Sequence, residues 1–162
     1  MGFSYMVTPY DYEVLLATHN GVKYLEEQLD SIASQTIPPR RIIISDDCSS
    51  DNTIDLLRSW SLRSDIDVQF LIPDQIQLGS CFNFEKLMLA STASYVMLSD
   101  QDDIWATTKA EILFEIMDEQ EKLYSAKVPL LVHSDLRIVN DQGQCIHPSF
   151  FRYQHLNAEK ND

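Results

Sequence analysis

The sequence predicts an α/β fold built on a mainly parallel sheet, and three observations carry that expectation. Short runs of β-branched and aliphatic residues recur at a steady interval, segments of helical period lie between them, and the runs are too apolar to alternate cleanly. Strands buried on both faces of a parallel sheet have that character. The runs are EVLLAT (13–18), RIIIS (41–45), VQFLI (68–72) and YVMLS (95–99). Their starts fall roughly 27 residues apart, about the length of a strand–helix–strand unit.

The intervening segments read as helices. In the first, Leu25, Leu29 and Ile32 repeat at i, i+4, i+7, with Asn20 as the candidate N-cap. In the second, Ile54, Leu57 and Trp60 share a face after Asp51 or Asn52, and in the third Phe84, Leu87, Met88 and Ser91 do the same. A fourth helix over about 108–123 places Ile112, Ile116 and Met117 inward. A fifth strand, PLLVHSDL (129–136), then leads to a hairpin signal at NDQGQ. The whole is a Rossmann-like sheet with helices on both faces, without internal repeats or a low-complexity linker. At 162 residues it reads as one domain, long enough to bury a core.

A hydrophobic content of 44% describes a globular chain, and the formal charge of −13 excludes a nucleic-acid-binding surface, which needs clustered Lys and Arg. The three cysteines, Cys48, Cys81 and Cys145, form no CxxC pair and suggest neither a disulfide framework nor a zinc site. With no signal peptide and no long apolar run, a cytoplasmic location is expected.

In open α/β sheets, ligands bind beyond the carboxyl ends of the strands. There the chain places THNG after the first run, DDCSSDNT after the second and DQDD after the fourth. Two of these loops hold six carboxylates: Asp46, Asp47, Asp51, Asp100, Asp102 and Asp103. A capping turn needs one Asp. Acids this close cost folding energy unless a cation or a set of donors neutralises them.

Calcium-loop spacing fails in both acidic loops. From Asp47, position six is Asn52 rather than Gly and position twelve is Arg58 rather than Glu; from Asp100, positions five and six are Ile104 and Trp105. GxGxxG and Walker motifs are absent, and the chain has only four glycines. A bound diphosphate would therefore need another neutraliser, and a divalent cation on Asp102 suits hard phosphate and carboxylate oxygens.

Taken in order, ATHNGVKYLEEQLDSIASQT, IIISDDCSSDNT, QLGSCFNF and YVMLSDQDDIW resemble the amino-terminal, donor-binding half of family 2 glycosyltransferases of the GT-A fold. The later HSDLRIVNDQGQCIHPSF is similar to rhamnosyltransferase-type members. The resemblance covers about 12–151 and implies a single nucleotide-sugar-binding domain over 1–162, ended before the acceptor and catalytic-base segment. It also implies an inverting, metal-dependent transferase. The donor would be a UDP or dTDP sugar, the acceptor a saccharide or lipid-linked molecule of bacterial surface-polysaccharide synthesis, and the protein a peripheral associate of the inner membrane face.

Carried over by residue, the resemblance has Asp47 hydrogen-bond the nucleobase, Asp100 contact the ribose, and Asp102 hold Mn2+ or Mg2+ against the diphosphate. The cation would stabilise charge that develops on the leaving nucleoside diphosphate. Asp103 would assist the metal or face the acceptor. Where relatives carry Pro-Thr/Ser-Tyr-Asn, this chain has Ala17, Thr18, His19 and Asn20, so His19 either takes over base stacking or is a polar loop residue. Cys48 stands where the family commonly has Gly. Asn83 matches a position near the donor or is an ordinary helix residue. His133 and Asp135 either face the acceptor cleft or are structural. The general base that inverting transfer requires would lie beyond Asp162.

A phosphotransfer or phosphatase domain would want a nucleophilic Asp after the first strand, where THN stands. A receiver-type binding module would want paired acids there and a Lys after the fifth strand, where HSDL stands. A non-catalytic remnant of the donor domain is the remaining alternative.

Overall fold

The computed structural model describes residues 10–71, 76–124 and 128–156. The chain divides into two compact units, one ending at Phe114 and the other spanning Glu115–Asp162.

The first unit is a parallel sheet of four strands, β1 (Tyr12–Thr18), β2 (Arg41–Asp46), β3 (Asp67–Phe70) and β4 (Tyr95–Ser99), in the order β3-β2-β1-β4. Strand β1 is central and buried at every position, because β2 and β4 flank it. Its period-two pleat divides the core. Tyr12, Val14 and Leu16 join Ile42 and Ile44 of β2 under helices α1 (Leu25–Ala33) and α2 (Thr53–Ser61), with Leu29, Ile32, Leu57 and Trp60 filling the layer. Leu15 and Ala17 join Ile43 on the opposite face, under Leu87 and Phe84 of α3 (Ser80–Ala90). Helices therefore cover both faces, as the strand–helix alternation requires.

The expectation of four strands buried on both faces holds for β1 and β2 only. Helix α3 packs on β1 and β2, which leaves Val96 and Leu98 of β4 42% and 48% exposed on that side. Strand β3 ends at Phe70, so Leu71 lies past it and Ile72 falls outside the described residues.

Asn20 does not cap α1. The helix begins at Leu25, one turn later, after Tyr24 and Leu25 donate their amides to the Gly21 carbonyl. In α2, Leu57 and Trp60 are buried while Ile54 is only half-buried; Asp51 accepts the Thr53 amide at its start. In α3 the buried positions are Asn83 and Leu87, and Met88 faces outward.

Helix α4 (Lys109–Tyr124) turns a different stripe inward from the one its isoleucines suggested. Ala110 and Phe114 are buried, whereas Ile112 is 50% exposed and Ile116 is also exposed. The cause is aromatic packing: Phe114 stacks on Tyr10 at 4.0 Å between centroids and meets Tyr12 and Tyr95 edge-on. That cluster fixes the helix's rotation more strongly than β-branched side chains on the other face can.

In the second unit, 129–137 form no strand, contrary to the reading of PLLVHSDL. An apolar run becomes a strand only where a neighbour supplies ladder partners, and among the described residues none does. The hairpin that NDQGQ signalled is present: β5 (Ile138–Val139) pairs antiparallel with β6 (Cys145–His147). Its turn places Gly143 at φ 72° and hydrogen-bonds the Gln142 and Gln144 amides to Asn140 Oδ1. A short helix, α5 (Phe150–Tyr153), follows, capped by Ser149 Oγ, which accepts the Arg152 amide.

Candidate functional site

The loops leaving β1, β2 and β4 meet at the carboxyl edge of the sheet, where side chains bond to backbone across long sequence separations. Asp46, the last residue of β2, accepts the Thr18 hydroxyl at 2.8 Å and both the Ser49 amide and hydroxyl, at 2.8 and 2.6 Å. Asp47 is buried, and its two carboxylate oxygens accept the amides of Leu78 and Gly79 at 2.6 and 2.8 Å, tying the segment before α3 to the end of β2. Gly79 carries φ 80° there, a conformation that suits glycine. Cys48 takes the left-handed conformation at φ 63°, so the turn adopts the geometry that glycine would allow, with a side chain present.

His19 is edge-bonded on both ring nitrogens. Nδ1 lies 2.8 Å from the Asp47 carbonyl oxygen and Nε2 lies 3.0 Å from Asn20 Nδ2. A carbonyl only accepts, so Nδ1 carries the proton, and Nε2 then accepts from the Asn20 amide in the neutral ring. Asn20 has φ 51°, and its Oδ1 accepts the Ser50 and Asp51 amides at 2.8 and 3.3 Å. Its role is to hold the β2 loop rather than to start α1.

The acids after β4 are differently placed. Asp100 and Asp102 are exposed and Asp103 is half-buried. Among the described residues, no hydrogen bond or ion pair reaches any of the three carboxylates. Partial loss of solvent around its carboxyl raises Asp100 above its ordinary value, although the residue as a whole is exposed, and the charges of Asp103 and Asp102 add to this. Burial also raises Asp103, as does Asp102, while Lys109 pulls the other way. Lys109, the first residue of α4, is itself held below its ordinary value by burial; its Nζ sits 4.2 Å over the Trp105 ring.

These residues suit a hard divalent cation shared with a phosphate. Among the described residues, no three His, Cys, Asp or Glu side chains converge on one point. Mg2+-type sites characteristically use one or two carboxylates and take their remaining oxygens from phosphate and water. Asp102 has an exposed carboxylate, beside two acids whose charge is disfavoured.

Of the other expected residues, Ala17 packs in the core with Leu15, Ile43 and Leu87. Asn83 is buried in the first turn of α3 and donates to the Ser45 carbonyl at 3.0 Å. His133 and Asp135 belong to the second unit. There Asp135 Oδ1 accepts the Leu136 and Phe151 amides, and the His133 ring meets Phe151 edge-on at 5.5 Å. Sequence reading missed Gln28, which is fully buried in α1 and donates through Nε2 to Ser99 Oγ and, at 2.9 Å, to the Asp100 carbonyl. A polar residue on the apolar face of α1 was the available signal. A hollow of about 370 Å3, lined by Asp30, Trp60, Arg63 and Ile66, lies by the carboxyl ends of α1 and α2, at the other edge of the sheet.

The fold is shared with solved structures of sugar-transferring enzymes. Staphylococcus aureus TarS 1–349 in complex with UDP superposes with a TM-score of 0.57 at 23% identity, over 67% of this chain and 32% of that one. The mannosyltransferase PcManGT of Pyrobaculum calidifontis, in complex with GDP-Man and Mn2+, gives 0.56 at 24% identity, over 62% and 30%. In sequence, the dTDP-rhamnosyl transferase RfbG of Shigella flexneri is 31% identical over 133 residues, 80% of this chain and 46% of that protein. The chain spans about half the length of the curated relatives it matches. The pattern of "Glycosyl transferase family 2" matches residues 13–154 and so takes in the sheet, the three loops at its carboxyl edge and the hairpin. The chain belongs to that family.

Proposed function

We propose that this chain is the donor-binding portion of a metal-dependent, inverting glycosyltransferase. It takes a sugar from a nucleoside diphosphate of the UDP or dTDP type toward a saccharide or lipid-linked acceptor of bacterial surface polysaccharide. The observation that carries the reading is the trio Asp100, Asp102 and Asp103 at the end of β4, set without an ion-pairing partner among the described residues. No helix among the described residues is long and apolar enough to cross a membrane; a cytoplasmic place, at the inner membrane face where a lipid-linked acceptor would lie, belongs to the same reading.

Asp102, with Asp103 beside it, would hold Mn2+ or Mg2+. When bound, the cation supplies charge stabilisation to the leaving diphosphate. Asp100 would take the ribose and Asp47 the nucleobase, since a carboxylate oxygen that accepts one amide retains a second lone pair. His19 uses its ring edge for Asp47 and Asn20, which leaves the ring face for stacking on the base. The general base is assigned to no residue of this chain.

The test is calorimetric titration of UDP, dTDP and GDP, with and without Mn2+, into the wild type and Asp102→Ala. One diphosphate should bind only with Mn2+, and Asp102→Ala should weaken it on the order of a hundredfold or more. Absence of binding to the folded wild type, or equal binding by the variant, overturns the proposal and favours a non-catalytic remnant.

A further inference from the structure

We infer that Gln101, the uncharged residue between Asp100 and Asp102, is a positioning residue that locks the acidic loop to the loop after β1. It thereby sets the spacing between the metal-facing and nucleoside-facing groups; this inference rests on the donor-site reading above. The Gln101 side chain makes a two-point contact with the backbone of a single residue, His19. Its Oε1 accepts the His19 amide at 2.7 Å and its Nε2 donates to the His19 carbonyl at 2.9 Å. That is the bonding a neighbouring strand would provide. The β1–β4 ladder ends at the pair Leu16 and Ser99, and the Gln101 amide supplies one further rung where the two backbones part.

A second observation concerns the space around the same side chain. Gly21 does not have a left-handed φ, so its backbone does not call for glycine. A Cβ there would nevertheless lie 2.3 Å from Gln101 Oε1 and 2.6 Å from its Cδ. An alanine at 21 would have to push the end of the Gln101 side chain off the His19 backbone, so Gly21 and the seat of Gln101 go together. Burial agrees: Gln101 is half-buried while Asp100 and Asp102 are exposed.

The lock extends beyond two loops. His19, held by Gln101, braces the Asp47 carbonyl through Nδ1, and the Asp47 carboxylate holds Leu78 and Gly79. One amide therefore sits at the head of a chain of contacts that crosses three strand ends. The residue type follows from the partners. Asn is a methylene too short, and Glu would set a carboxylate oxygen against the His19 carbonyl and add charge to a loop already overfull.

The first experiment does not depend on any ligand. Denaturant midpoints are measured for wild type, Gly21→Ala, Gln101→Ala and the double variant, together with hydrogen exchange of the His19 amide. Gly21→Ala should destabilise the wild type clearly and the Gln101→Ala background much less, and the His19 amide should lose protection in Gln101→Met. Additive midpoints with an unchanged His19 amide overturn the lock. The second experiment titrates UDP, dTDP and GDP with Mn2+ into Gln101→Met, well below its unfolding midpoint. Affinity should fall about ten- to a hundredfold, because a small displacement of a positioned group has effects of that size. Wild-type affinity in folded Gln101→Met overturns the positioning role. Absence of binding to wild type sinks the donor reading and the positioning role with it, and the midpoint cycle then still decides whether the lock exists.

Discussion

At the edge where the strands begin, carboxylates face arginines; at the edge where they end, they face backbone amides, hydroxyls or one another. Arg40 pairs with Asp11 at 3.1 Å and with the buried Glu13, and Arg41 pairs with Asp67 at 2.6 Å and lies 3.7 Å from Glu13. Among the described residues, none of the six acids after β2 and β4 has an ion-pair partner. The first edge satisfies its charge within the chain. The second satisfies Asp46, Asp47 and Asp51 by hydrogen bonds that fix loop shape. It leaves Asp100, Asp102 and Asp103 without a hydrogen bond or ion pair among the described residues, Lys109 acting on Asp103 only at longer range. The negative net charge is thus distributed unevenly. It is met by arginines at the first edge, and by backbone amides and hydroxyls or by no ion-pair partner among the described residues at the second, where the proposed donor reading sets a cation.

The largest expected effect on stability comes from Asp47→Ala, which strands the Leu78 and Gly79 amides and should cost about 2–4 kcal/mol in denaturant unfolding. A loss within error would show that the segment before α3 is held by something else. Next come two acid-to-amide changes of opposite sign. Glu13→Gln should lower stability by about 1–2 kcal/mol, whereas Asp103→Asn should raise it, by no more than about 1 kcal/mol after solvent screening.

Their pH dependence separates them further. Burial pushes the Glu13 carboxyl up, but the Ser91 hydroxyl and the Arg40 guanidinium outweigh it and hold the group below its ordinary value. Glu13 therefore stabilises the fold above the ordinary carboxylate range, and the advantage is lost as pH falls through its lowered value. Asp103 is raised, so its folded form binds a proton more tightly and its penalty grows as pH rises through that value. The gain from Asp103→Asn should be absent in acid and complete near neutrality. Midpoints followed across that range decide both signs, and two curves of the same sign would abolish the distinction between the edges.

The smallest effect is Cys48→Gly, which relieves a left-handed φ but adds freedom to the unfolded chain, for a net gain of a few tenths to about 1 kcal/mol. A loss of stability would mean that the Cys48 side chain contributes to the turn.

The sheet was legible because its strands are runs of consecutive apolar residues: EVLLAT and RIIIS, buried on both faces, lie within a residue of β1 and β2, and YVMLS coincides with β4 although one face of that strand is left open. The acidic edge was legible for a related reason, since strand–helix alternation sends every strand's carboxyl end to one side. Packing decided what the sequence did not show. The inward stripe of α4 follows an aromatic cluster assembled from Tyr10, Tyr12 and Tyr95, and 129–136 has strand composition without a strand to pair with. Asn20 looked like a cap because its helix begins nearby, yet its acceptors serve amides 30 and 31 residues away. Gln101 was invisible for the same reason: its partner is 82 residues distant, and no periodicity reports such a bond.

The buried Glu13 also bears on how β1 finds its place. Alternation puts Glu13 on the face of Leu15 and Ala17, within reach of Ser91 and Arg40. If β1 rotated its faces by slipping one residue, that carboxylate would enter the apolar layer of Val14, Leu16 and Ile42 and leave the side that carries Ser91 and Arg40. In a strand of such uniform apolarity, where a slip would otherwise exchange one hydrophobic residue for another, a single charge rejects the wrong alignment and gives the central strand an address.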